Sequence, residues 1–381
     1  MSSPRAPARR ARGFSMIELM VGVVIGLIGI VIISQMYAVS EDRKRSATGA
    51  SDTQVAGNLA LFSMERAARM AGYGLSSQLL LNCTTLAYNS ARPTPAFSFV
   101  IRPAWIENGA AGAPDQITIM ASGGSGVATL DGNALNGASA SGDPFPLQSV
   151  AGFVVGSLVI AAEAAKNCTL AEVTAIPAGT NTLQQGGTFS QPGGSGVDYT
   201  SSAFLFGAGF KNFDAANPHR TPLSIQRFRI VNETLRAETL IPYAAANDSD
   251  NDGFSDFVIA NGVVQMQALY GLDDGTAAAG PNDFLVTNAV YAADDGIVDR
   301  FTTDTPASAA AWRQMKALRV AFLIRIGKWE REQVTTTAPT WNDGLSAFTM
   351  SNAADGTDWR NYRYRVYEVD IPMRNLLWTT S

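Results

Sequence analysis

The sequence is poor in the residues on which much enzyme chemistry depends. It has one histidine, His219, and two cysteines, Cys83 and Cys168, in 381 residues. With no C-x-x-C, a zinc site of Cys and His is excluded. Any histidine-dependent triad would have to use His219. That residue stands between Pro218 and Arg220 in a turn-like stretch and reads as a solvated loop histidine. There is no G-x-x-x-x-G-K-[ST], no G-x-S-x-G and no H-E-x-x-H. Charge is scarce too: 16 % of residues carry one, against about 25 % in average globular chains. Acids outnumber bases 33 to 28. Four of the bases, Arg5, Arg9, Arg10 and Arg12, sit in the first thirteen residues, so the remainder has 24 bases against 33 acids, a charge of −9. Such a body repels phosphate chains at long range, and direct nucleic-acid binding is not expected. One long apolar run exists, which excludes a polytopic membrane protein. What is abundant is Gly (35), Ala, Ser and Thr. The composition fits a loop-rich, β-rich body with an apolar segment at one end.

That segment runs from Phe14 to Val39 and holds a single charge, Glu18. A helix needs about 20 apolar residues to span a bilayer. The basic flank before it should stay cytoplasmic, which puts the bulk of the chain on the far side. The run is too long for an ordinary signal peptide and lacks an A-x-A-like end. Glu18 is anomalous, because a carboxylate inside a membrane helix costs about 2.5–3.5 kcal/mol. Cleavage after Gly13 would create an amine on Phe14, and an i, i+4 spacing puts that amine and Glu18 on one helix face. The alternative is that Glu18 marks the membrane edge and reaches into the headgroups. Gly22, Gly26 and Gly29 lie in the same run. The G-x-x-x-G step is either a helix-packing face or membrane glycine without a specific partner.

The string Gly13-Phe14-Ser15-Met16-Ile17-Glu18-Leu19 resembles the leader junction of type IV prepilins. The resemblance implies that residues 1–13 are a leader removed by a prepilin peptidase, that Phe14 is then N-methylated, and that Glu18 pairs with a Phe amine during assembly. Residue 35 is a departure: many major pilins have proline there, and this chain has Gln35. Several later strings are similar to PilW-type minor pilins. They are Met64–Tyr73, Val264–Gly271, Asp295–Arg300, Trp312–Ile326 and Tyr362–Leu376. The resemblance implies an α+β fold: a long pilin spine helix over residues 14–75, with 14–39 transmembrane, packed on a β-rich periplasmic domain over 76–381. It implies a structural minor pilin, not an enzyme, that helps to assemble a type IV pilus for motility, adhesion or DNA uptake. Expected partners are the prepilin peptidase, other minor pilins, the major pilin and the inner-membrane assembly platform. The expected location is the inner membrane with a periplasmic body, then the pilus. The alternatives are a type II secretion pseudopilin and a calcium-dependent adhesin anchored by a pilin-like helix.

From Ser40 to Met70 there is no proline, and Val55, Leu59, Phe62, Arg66 and Met70 recur near helical spacing, widened by Leu61, Met64 and Ala67. The pattern predicts a helix of about 55 residues, stopped at Gly72-Tyr73-Gly74, with this stripe buried against the domain that follows. Beyond Ser76, short β-like runs alternate with Gly, Ser, Asn and Pro. Candidate strands are Phe97–Arg102, Gln116–Met120, Phe153–Ala161, Ile225–Val231, Thr234–Ile241, Val263–Tyr270, Met315–Ile326 and Tyr362–Ile371. Stretches 123–142 and 186–196 read as small-residue surface loops. No repeat or linker divides the β-rich part, which reads first as one domain and second as two lobes split near Gly196. Arg360, Arg363 and Arg365 interleave with tyrosines, a pattern that suits a half-buried strand better than a nucleic-acid surface.

Asp248-Ser249-Asp250-Asn251-Asp252-Gly253-Phe254-Ser255-Asp256 places carboxylates at alternate positions with glycine at the turn. This is the pattern of a Ca²⁺ loop. The expected ligands are Asp248, Asp250, Asp252, Asp256 and the Phe254 carbonyl. A full EF-hand needs Glu at loop position 12, where this chain has Ile259. An Asx-rich turn is the alternative. Asp294-Asp295-Gly296-Ile297-Val298-Asp299 has half of the same pattern. Because the body is expected in an oxidising compartment, Cys83 and Cys168 are expected to pair.

Overall fold

The computed structural model describes residues 15–123, 132–190, 196–211, 221–241, 255–278, 280–286, 291–327, 329–352 and 356–377. The chain divides into two compact units, Met1–Asp52 and Thr53–Ser381.

The first unit is helical where it is described. Helix α1 is Met16–Met70 and continues into the second unit. The segment Met16–Glu41 is long and apolar enough to cross a membrane. At the other end α1 stops where Gly72 and Gly74 adopt φ of 74° and 66°. These are left-handed values that glycine takes without a Cβ penalty, as at a helix C-terminus. Gly72 N–H then donates to the Met120 carbonyl (2.8 Å), so the helix end is stitched to a strand.

The second unit contains three main sheets. One has the order Ala96–Val100, Thr84–Tyr88, Cys168–Ala175, Ser157–Ala162, Phe204–Phe210, Asn133–Ala134, with Thr182–Gly186 pairing both Cys168–Ala175 and Phe145–Pro146. Its pairs are antiparallel except Thr84–Tyr88 with Cys168–Ala175, which is parallel. A second sheet runs Asp256–Asn261, Thr234–Thr239, Ser224–Val231, Gln116–Ala121, Ala104–Glu107. A third runs Asp283–Leu285, Arg300–Thr302, Val263–Leu272, Met315–Ile326, Arg363–Pro372. A disulfide joins Cys83 to Cys168, with Cα atoms 6.0 Å apart. It lies at the parallel pair, where Thr85 is in register with Cys168.

The main core lies between α1 and the second and third sheets. Ala60, Met64 and Ala68 of α1 and Ala71 just beyond it pack with Ile117, Phe228 and Leu235 of the second sheet and with Met266, Leu318 and Phe322 of the third. The Met315–Ile326 strand is buried on both faces. Leu318, Val320, Phe322 and Ile324 face this core, while Ala317, Ala321 and Leu323 face another cluster with Trp341 and Phe348. A strand covered on both sides is apolar at successive positions, here Val320–Ile324, which is why it is plain in the sequence. A further core joins the first sheet to the second through Leu158, Ile160, Phe206, Met120 and Ile225.

The burial of α1 within the second unit differs from the sequence expectation. The predicted stripe divides: Val55 (63 %), Leu59 (45 %), Phe62 (61 %) and Met70 (49 %) are exposed, whereas Met64, which widened it, is fully buried and Leu61 and Ala67 pack partly against the core. The covered face is centred on Thr53, Ala60, Met64, Ala68 and Ala71. The physical reason is closeness of approach. Tyr367 donates to the Thr53 carbonyl (3.1 Å), and a Cβ on Gly57 would overlap the Tyr367 ring. Small residues bring the helix backbone onto the sheet, and a face of Val, Leu and Phe would hold it away. Helical periodicity shows that a helix has an apolar stripe, but not which of two stripes meets the body.

Candidate functional site

The site begins at the helix N-terminus. The Ser15 carbonyl accepts from Leu19 N–H at 3.1 Å, the first bond of the helical ladder. The Glu18 carboxylate reaches back and accepts from Ser15 N–H through Oε2 at 3.2 Å. Ser15-Met16-Ile17-Glu18 thus forms half of a capping box, in which the residue at the third helical position satisfies the N-cap amide. A carboxylate there also favours the positive end of the helix dipole. Sequence reading treated Glu18 as a charge needing an amine and missed this role, although the S-x-x-E spacing signals it. Gly13 and Phe14 lie outside the described residues.

The second element is the exposed stripe of Val55, Leu59, Phe62 and Met70. Arg69 and Glu65 pair one turn apart beside it. Apolar side chains of this size, left open in a row on a long helix, mark a contact surface.

The acidic loop is only partly visible. Asp248, Asp250, Asp252 and Phe254 lie outside the described residues. Asp256 is buried, and its Oδ2 accepts from Arg236 at 2.9 Å. That carboxylate is therefore already bound to a cation of the chain. Next to it Glu238, fully buried, is held by Arg227 and Arg229. Among the described residues no three His, Cys, Asp or Glu side chains are placed to hold a metal ion. His219 lies outside the described residues.

The remaining tyrosines and arginines of the sequence analysis are structural. Arg363 pairs with Glu330 (2.7 Å), and Arg325 stacks on the Tyr362 ring (4.3 Å). Tyr364 and Val366 pack on one face of the third sheet, while Tyr367 of the alternate set enters the main core. One buried acid was missed altogether. Asp115 is 2 % exposed and accepts from Gly109 N–H (2.9 Å) and Ala268 N–H (2.8 Å). Burial pushes its carboxyl up to about 6, against the pull of those two bonds.

Comparison with known proteins places these features. Residues 231–375 match the family model of type IV pilus-assembly protein W. Residues 8–34 match the prokaryotic N-terminal methylation motif. No curated protein and no solved structure matches the chain. The first match covers most of the second sheet's edge and all of the third sheet; the second covers the start of α1 and its cap. The chain thus carries a type IV pilus-assembly protein W region and a prepilin-type methylation motif, the two signatures of a pilin-like protein associated with type IV pili.

Proposed function

We propose that this protein is a structural minor pilin that enters a type IV pilus, or its initiating tip complex, through α1. The observation that carries the reading is the exposed stripe of Val55, Leu59, Phe62 and Met70 on the helix that opens with the methylation motif. A body that buries one helical face and leaves a second apolar face open is built to be covered by other subunits. Prepilin peptidase is the processing partner, cutting after Gly13 and leaving Phe14 for methylation. Other minor pilins, the major pilin and the inner-membrane platform are the assembly partners. The body then faces the periplasm before export. The role is that of a component and not of a catalyst. In the loop 248–256, calcium would be held by Asp248, Asp250, Asp252 and the Phe254 carbonyl, with Asp256 acting through water because Arg236 occupies it.

Glu18 would hold two successive partners. Before cleavage it caps Ser15; after cleavage a charged amine on Phe14 lies within the same helical turn. Glu18→Gln separates these roles, because the amide oxygen still accepts from Ser15 N–H but carries no charge. The test is mass spectrometry of the mature N-terminus together with the protein's amount in sheared pilus fractions. Cleavage at Gly13–Phe14 with normal membrane insertion and reduced incorporation of Glu18→Gln is expected. A chain that keeps its first thirteen residues in cells with an active prepilin peptidase would sink the reading.

A further inference from the structure

A cleft of about 240 Å³ lies on the face of the third sheet that carries Val264 and Tyr364, opposite the face that meets α1. Three strands build its floor. Arg325 of Met315–Ile326 stands directly beside Tyr364 of Arg363–Pro372 in the ladder. Val264 and Gln265 are consecutive, and a regular strand would send them to opposite faces. Both line the cleft, because the register of Val263–Leu272 shifts between Val263 and Gln265, and such a bulge re-aims a side chain. Gln265 is buried and donates from Nε2 to the carbonyls of Gly112 (2.9 Å) and Thr349 (3.0 Å), which fixes the far wall, residues 349–352.

The remaining side is the tip of the hairpin that joins Ser224–Val231 to Thr234–Thr239. Val231 pairs with Thr234, so the turn is Asn232-Glu233 alone, with φ of 49° and 57°. A two-residue turn of this hand favours glycine at its second position, and a glutamate there holds a strained backbone. Its side chain meets Arg325: Nη1 donates to Oε1 at 2.9 Å and Nη2 donates to Oε2, a fork-to-fork pair. The Tyr362 ring backs the guanidinium at 4.3 Å, so the pair is fixed in place beside the cleft.

The pair has capacity to spare. A guanidinium has about five N–H donors and a carboxylate about four acceptor sites. The pair uses two of each, and among the described residues no other group takes the rest. Donors and acceptors therefore lie side by side in a wall without net charge. An anion or a cation would have to break the pair, and a purely apolar ligand would leave these groups unpaired. What satisfies them is a row of hydroxyls, each accepting from the guanidinium and donating to the carboxylate. The rest of the wall, Val264, Met350 and Tyr364, is apolar. We propose that the cleft binds one ring of a neutral saccharide, its vicinal hydroxyls on the Glu233–Arg325 pair and its C–H face on the apolar wall. The volume is smaller than that of pockets for drug-sized ligands and suits a single ring. An uncharged hexose glycan and an N-acetylhexosamine strand share this chemistry. The site does not depend on how α1 assembles.

The experiment uses the full chain in a detergent without a sugar headgroup. It is screened on an array of neutral hexose glycans, N-acetylhexosamine strands and acidic glycans, then titrated with the best binder by calorimetry. Neutral glycans are expected to bind and acidic ones to bind more weakly; the tighter of the two neutral classes identifies the source. Glu233→Gly is expected to weaken binding about tenfold or more. It should melt no lower than wild type, since glycine relaxes the turn. A purely structural pair would show the reverse, a lower melting temperature with binding unchanged. Ser351→Trp, on the exposed rim, fills the cleft without altering the pair and is expected to abolish binding. No neutral glycan bound at millimolar concentration, binding that survives both variants, or a preference for acidic glycans overturns the proposal.

Discussion

The two faces of α1 between Thr53 and Met70 are made of different residues and meet different surroundings. One is small and buried: Gly57, Ala60 and Ala68 around Met64. The other is large, apolar and exposed: Val55, Leu59, Phe62 and Met70. By hydrophobicity alone the second would be the inner face. The comparison teaches that a helix docks on a sheet through the face that lets the backbones come close, and that the more hydrophobic face is left for another surface. Stability and assembly should therefore be separable by mutation on one helix.

The largest effect is expected at the centre of the buried face. Met64→Ala removes a fully buried side chain between the two sheets and should cost about 2–5 kcal/mol, read as a lower denaturation midpoint. A change within a few tenths of a kcal/mol would break the distinction between the faces.

The floor of that core supplies a pH test. Asp115 N–H donates to the Met266 carbonyl, and its carboxylate accepts from Ala268 N–H, so it pins the core strand Val263–Leu272. Its carboxyl is raised from 3.8 to about 6 in the folded protein by burial. The folded state thus binds more protons than the unfolded state between about pH 4 and 6. This group's contribution is full below pH 4 and is lost as pH rises through 6, about 3 kcal/mol in all. Asp115→Asn does not titrate and should flatten that decline in urea melts taken across pH 4–7. An unchanged slope would show that Asp115 does not titrate there.

Gly57→Ala sharpens the comparison from the other side. The added Cβ meets the Tyr367 ring, and overpacking of this kind costs about 1–3 kcal/mol. Reducing the ring, as in Tyr367→Val, should recover part of the loss. A neutral Gly57→Ala would mean that close approach does not select the face.

The smallest effect on stability belongs to the exposed stripe. Phe62→Ala and Leu59→Ala should stay within about 0.5 kcal/mol of wild type. Their abundance in sheared pilus fractions should nevertheless fall. Losses of stability comparable to that of Met64→Ala would show that this stripe is covered in the isolated chain.

Much of the β-rich part was legible because its longest strands are buried on one or both faces. Met315–Ile326 has the predicted bounds, and Gln116–Ala121, Ser224–Val231 and Val263–Leu272 differ from prediction by one or two residues. Thr84–Tyr88, Cys168–Ala175 and Phe204–Phe210 were missed. Their Ala, Thr, Cys and Gly residues give no strong period, and they form strands because neighbours complete the ladder. The start of the candidate site was legible as a string, Gly13-Phe14 with Glu18. The capping bond of Glu18 to Ser15 N–H emerges only with the helix start in place, because a carboxylate in an apolar run signals charge pairing as readily as capping.

The sequence by itself determined the apolar segment, the helix length, the glycines that end it and the position of the methylation motif. These follow from local composition, since hydropathy, proline absence and turn residues act over a few neighbours. Tertiary structure alone decided which stripe of α1 is buried, that Asp256 belongs to Arg236, and that Asp273 and Asp299 cross-bind two loops more than twenty residues apart. Those outcomes depend on backbone approach and on which polar group finds a partner once water is excluded, and neither is fixed until the sheets have packed.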